Sequence, residues 1–248
     1  MKIVLLPGMD GTGELFESVL NELSEHECLV IPLPSSGQQD YASLVEYVKS
    51  KLPEEECILV AESFSGPIDA YLAEEEKVKV KVKGIVFVAT FLTPPSKFLL
   101  AMSQLLPIKF LSKLPGSGLV LQAMMFGHQA SKDLLNQFQN IIDQIDIKIL
   151  KNRLKTMQSL KFIGKESNVP ATYILPTNDR LVSNSKHHEF NKYFSQLQVK
   201  EVNGPHFVLQ TNPEESAQII SEFVKELNCS MNNKQKHLLE NHQHLDEQ

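Results

Sequence analysis

The sequence predicts an α/β fold: a mostly parallel sheet of about six strands flanked by helices, with a helical cap inserted after the fourth strand. Two observations predict the sheet. Short apolar runs alternate with longer amphipathic segments, the pattern of parallel strands joined by crossover helices. The chain of 248 residues is also 42% hydrophobic and 22% charged, enough to bury a sizeable core. A third observation predicts the insertion, because the alternation fails between about residues 92 and 162.

The strands expected are Lys2–Leu6, Cys28–Pro32, Cys57–Val60, Gly84–Ala89, Ala171–Leu175 and Val199–Val202. Helical patterns fall between and after them at Gly13–Leu23, Tyr41–Leu52, Gly66–Glu75, Asn184–Phe194 and Pro213–Leu227. The last is the best marked. Pro213 suits the first helical position, Glu214 and Glu215 suit the positive end, and Ile220, Phe223, Val224 and Leu227 share a face. Lys77–Lys83 alternates lysine and valine and reads as the solvated lead-in to the fourth strand.

Between the fourth and fifth strands, four helical pieces are separated by Pro94-Pro95, Pro107 and Pro115-Gly116-Ser117-Gly118. The expected division is a core of residues 1–92 and 163–228 and a cap of 93–162. Residues 229–248, rich in Asn, Gln, Lys and His, lack a sustained apolar face and are expected to form a disordered tail.

Composition narrows the function. A net charge of −6, with no basic stripe, argues against nucleic-acid binding. Cys28, Cys57 and Cys229 form neither a disulfide framework nor a zinc-ligand spacing, so no metal is expected. Lys109, Lys113 and the Pro/Gly breaks interrupt Leu99–Phe126, which leaves no run of about 18–20 apolar residues to span a bilayer. The N-terminal apolar run is too short for a signal-peptide core, which points to the cytoplasm.

The chemistry is carried by Ile58-Leu59-Val60-Ala61-Glu62-Ser63-Phe64-Ser65-Gly66-Pro67. An apolar run ends in small-x-Ser-x-small and passes directly into a helical pattern. That arrangement lifts a serine onto a sharp strand-to-helix turn, whose flanking residues must be small because the turn crowds them together. Two partners follow in order. Asp179 lies in the polar turn after the fifth strand, and His206 in Asn203-Gly204-Pro205-His206-Phe207 after the sixth. All three fall at C-terminal strand ends, where open α/β sheets gather their ligands. The glycines of Leu5-Leu6-Pro7-Gly8-Met9-Asp10-Gly11-Thr12-Gly13 miss the dinucleotide spacing, and no Gly-Lys-Ser/Thr follows. This loop is better placed to aim the Met9 N–H at Ser63, with the Phe64 N–H as the companion oxyanion donor.

With these residues in view, the chain resembles the α/β-hydrolase superfamily over roughly residues 1–227. Its Leu-Pro-Gly-x-Asp-Gly-Thr-Gly and Glu-Ser-Phe-Ser-Gly-Pro motifs are similar to those of a small bacterial serine hydrolase subfamily, and the first also to plant plastid esterase/acyltransferase proteins. The resemblance implies hydrolysis or acyl transfer without a metal or organic cofactor. The chain departs from the pattern at Pro7, where His-Gly is common, and at Glu62, where histidine is common. Ala61 and Ser65 also replace glycines, and Glu62 and Asp10 become alternative carboxylates near the site.

The expected activity is cleavage of a carboxylic ester or thioester through Ser63, His206 and Asp179. Two rivals are an acyltransferase using the same acyl-enzyme and a non-catalytic binding protein on the same fold. The small-molecule substrate would carry an acyl or other apolar group if Leu99, Leu106, Phe110, Met124, Met125, Phe126 and Phe207 line a pocket. The alternative is that these residues pack the cap onto the sheet.

Overall fold

The computed structural model describes residues 1–95, 125–127 and 130–246, with side chains as far as Asn233. The described strands are β1 (Lys2–Leu6), β2 (Cys28–Val30), β3 (Cys57–Glu62), β4 (Val82–Val88), β5 (Ala171–Pro176) and β6 (Leu197–Val202). They form one sheet in the order β2-β1-β3-β4-β5-β6, parallel throughout. Strands covered on both faces need apolar residues at every position, which is why β3 reads as an unbroken buried run.

The described helices are α1 (Glu17–Glu22), α2 (Tyr41–Lys49), α3 (Gly66–Leu72), α4 (Glu76–Lys79), α5 (Lys132–Gln144), α6 (Ile147–Gln158), α7 (Val208–Thr211) and α8 (Pro213–Asp246). Alternate strand residues build two cores. Val4, Leu6, Leu59 and Ala61 join Leu44, Ile68 and Leu154 from α2, α3 and α6 on one face. Ile3, Leu5, Ile58 and Val60 join Val19, Leu209, Ile220 and Phe223 from α1, α7 and α8 on the other. Within β4 the alternation slips: Val82 shares a face with Ile85 and Phe87. A register shift against β3 at Cys57/Ile58 accounts for the extra residue. A Cβ on Gly84 would stand 2.6 Å from Leu227 Cδ1, so the missing side chain lets α8 lie close against the sheet.

The described part of the insertion between β4 and β5 carries the helices α5 and α6. Ser131 caps α5 by accepting from the Leu134 N–H, and Asp146 caps α6 by accepting from the Lys148 N–H. Asn184–Lys192, expected as an ordinary helix, is wound as 3-10.

One local expectation is corrected. The lysine–valine segment is not wholly extended, because Glu76–Lys79 forms the short helix α4. Its lysines pair outwards: Lys79 meets Glu76, Lys81 meets Glu54, and Lys83 meets Glu56. At the C-terminus α8 runs from Pro213 to Asp246. No glycine or proline follows Pro213 to stop the helix, and Lys, Gln, Glu and Leu favour its propagation. The helix leaves the core at Leu227, beyond which Asn228–Ser230 are exposed. Among the described residues, no helix is long and apolar enough to cross a membrane.

Candidate active site

The site forms where β3, β5 and β6 end. Ser63 follows β3 with φ 49°, a left-handed conformation that a residue other than glycine adopts only when its surroundings impose it. Those surroundings are specific. Ala61 and Ser65 are both fully buried, as the crowding of the turn requires. The Thr90 hydroxyl donates to the Ser63 carbonyl, and the Tyr41 hydroxyl donates to the Phe64 carbonyl at 3.3 Å. Thr90 is fixed in turn by Tyr173, whose hydroxyl accepts from the Thr90 N–H and donates to its carbonyl.

His206 Nε2 lies 2.9 Å from Ser63 Oγ, and its Nδ1 lies 2.7 Å from Asp179 Oδ2. The other Asp179 oxygen accepts from the Leu181 and Val182 N–H groups at 2.8 and 2.9 Å. The carboxylate is thereby aimed from behind. Ser63 is 9% exposed and His206 4%, so water has little room to screen their interactions. Desolvation pushes the imidazole pKa down, but the charge and hydrogen bond of Asp179, with the charge of Glu62, outweigh it and leave the pKa raised.

Glu62 and Asp10, the alternative carboxylates, do not take the Asp179 position on His206 Nδ1. Glu62 is buried and accepts from Gln210 Nε2 at 3.0 Å. Burial, then the nearby Asp10 charge, pushes its pKa up to about 7. Asp10 instead folds its own loop, accepting from the Thr12 N–H and hydroxyl at 3.0 and 2.8 Å.

The loop after β1 lies against the serine: a Cβ on Gly8 would sit 3.7 Å from Ser63 Cβ. The Gly8 carbonyl accepts from the Gly11 N–H at 3.1 Å. Because peptides are planar and trans, the Met9 N–H points away from that bond, just as the Phe64 N–H points away from Thr90. Ser65 ties loop to turn, its hydroxyl donating to the Pro7 carbonyl at 2.5 Å. The serine that replaces the usual glycine is thus a fastener.

Of the pocket candidates, Leu99, Leu106, Phe110 and Met124 lie outside the described residues. Phe126 is fully buried, stacked on Phe207 with centroids 4.7 Å apart and set edge-on to Phe138 at 5.2 Å. The Met125 carbonyl accepts from the Phe207 N–H, which fastens this segment beside His206. Thr90, Tyr173, Gln210 and Arg153 were not anticipated. Arg153 alone left a signal, a charged residue among Ile149, Leu150, Leu154 and Met157 on the buried face of α6.

A family model described as serine aminopeptidase, S33, matches residues 23–205. The chain belongs to this hydrolase family. Its fold is therefore that of the α/β-hydrolases, and it is an enzyme. The S33 match begins after the Met9 loop and stops one residue before His206, so both rest on the geometry above. The fold is shared with a lipase-esterase related protein from Clostridium acetobutylicum, 16% identical, TM-score 0.71, covering 90% of this chain and 93% of that one. It is shared also with an enol-lactonase from Burkholderia xenovorans, 13% identical, TM-score 0.72, covering 90% and 91%. A putative aryl esterase from Burkholderia cenocepacia is 13% identical with TM-score 0.74, covering 92% and 91%. No curated protein matches the chain.

Proposed function

We propose that this S33-family hydrolase is a serine esterase that cleaves a carboxylic ester or thioester bearing an apolar group. The observation that carries the reading is the unbroken chain from Ser63 Oγ through His206 to Asp179. His206 Nε2 takes the serine proton as Oγ attacks the carbonyl carbon. Asp179 holds the working tautomer and stabilises the imidazolium. The Met9 and Phe64 N–H groups receive the oxyanion, each such donor typically lowering the barrier by about 3 kcal/mol. Collapse breaks the acyl bond to the leaving alcohol or thiol, which takes the proton from His206. Water, deprotonated by His206, then releases the acid and restores Ser63.

The ester preference is supported by esterase and lactonase names among the proteins that share the fold. The apolar preference is supported by the Phe126–Phe138–Phe207 cluster, with Leu15, beside His206. The test is labelling by a serine-directed fluorophosphonate together with turnover of p-nitrophenyl esters of increasing chain length. Both signals should vanish in Ser63→Ala, and turnover should rise beyond acetyl. Labelling that survives the substitution removes the nucleophile assignment. A falling chain-length response removes the apolar pocket. Turnover of aminoacyl anilides in place of esters would shift the substrate to peptides, and ester formation with added alcohol would favour acyl transfer.

A further inference from the structure

The Gly8–Gly11 loop is fixed carbonyl by carbonyl. Ser65 holds the Pro7 oxygen, the Gly11 N–H holds Gly8, and the Leu33 N–H holds Gly11 at 2.8 Å. The two carbonyls between them are held by one side chain from the insertion. Arg153 Nη1, carried by α6, donates to the Met9 carbonyl at 2.8 Å and the Asp10 carbonyl at 2.9 Å. Its Nη2 donates to the Pro34 carbonyl at 3.0 Å, and its Nε to Gln39 Oε1 at 2.8 Å.

Arg153 is 1% exposed, and its four bonds end on neutral oxygens, with the Asp10 charge near enough to favour the cation. Burying a cation in this way is costly unless each donor is satisfied and the position matters. The backbone is shaped to admit it. Gly11 has φ 75°, and a Cβ there would lie 2.1 Å from Arg153 Nη1. The sequence points the same way: the chain holds only two arginines, and here stands one of them, where a planar fork must reach several acceptors at once. Burial lowers its pKa to about 10, which leaves it cationic at neutral pH.

We infer that Arg153 is a positioning residue through which the insertion sets the oxyanion loop, so the Met9 donor is in place only while α6 is seated. The inference rests on the proposed role of the Met9 N–H. The cap would then contribute to catalysis beyond covering the substrate, because any displacement of α6 releases two carbonyls next to the oxyanion site.

The test begins with fluorophosphonate labelling of the wild-type protein, then compares Arg153→Met with it. In the folded variant, hydrogen exchange over residues 8–12 should accelerate. The kcat for a p-nitrophenyl ester should fall by about tenfold to a hundredfold, the range expected from misplacing a catalytic group by about an ångström. KM should stay within about twofold, since Arg153 touches no substrate. Guanidinium ion at millimolar concentration should restore part of the rate in Arg153→Ala. Arg153→Lys keeps the charge but cannot span the four acceptors; it should show a smaller loss and serves if Arg153→Met fails to fold. Unchanged exchange and kcat in a folded variant would overturn the inference. Faster exchange with unchanged kcat would also overturn it, by showing that the loop Arg153 holds is not the oxyanion loop. Absence of wild-type labelling at Ser63 would instead bring down the esterase reading itself.

Discussion

Two carboxylates of different character act on His206. Asp179 bonds it directly, whereas Glu62 acts through its charge. Glu62 titrates near 7 because burial and Asp10 disfavour its ionised form. In the proposed mechanism His206 must be neutral to act as the base, so the acid limb of the kcat/KM profile should follow its raised pKa. That limb belongs to the coupled pair and not to His206 alone. Glu62→Gln keeps the hydrogen bond from Gln210 and removes the charge that favours imidazolium. The acid limb should therefore move to lower pH and become steeper in the variant, measured as kcat/KM against pH. A limb that stays in place or moves to higher pH would show that Glu62 does not communicate with the base.

At the scale of elements, the decisive feature is how the end of β3 is fastened to the loop after β1. Ser65 makes that connection through the buried Pro7 carbonyl. Ser65→Ala leaves this carbonyl unpaired, a loss of about 1–3 kcal/mol. Urea unfolding should report the loss, with kcat falling alongside. An unchanged midpoint would mean the junction relaxes without cost. The same junction shows what the sequence could convey. The apolar run, the small residues around Ser63 and the order Ser63, Asp179, His206 were readable because each is local or follows chain order. The roles of Thr90, Tyr173 and Gln210 were not, because each depends on which distant residues tertiary packing brings together. Arg153 lay between: its place on an apolar helix face is visible in the pattern, but its acceptors at Met9, Asp10 and Pro34 are more than a hundred residues away in the chain.

For the whole molecule, stability depends on buried carboxyls that fold in protonated form. Asp69, on α3, is 0% exposed, and neither oxygen has a hydrogen-bond partner among the described residues. Desolvation raises its pKa well above the ordinary 3.8. Between that ordinary value and the raised one, the folded state holds a proton that the unfolded chain has released. Stability from this site is therefore fully present at acid pH and declines as pH rises. Glu62 contributes with the same sign up to about pH 7. Asp69→Leu replaces two unsatisfied oxygens with two methyl groups in the same branched arrangement. It should stabilise the protein at neutral pH by about 1–3 kcal/mol, which for a chain of this size raises Tm by roughly 2–4 °C per kcal/mol. The gap between variant and wild type should narrow toward pH 4, because there the unfolded chain is protonated too. Melting curves of both proteins from pH 4 to pH 8 measure it directly. A gap that is constant across this range would mean that Asp69 is ionised in the folded protein and has found a partner.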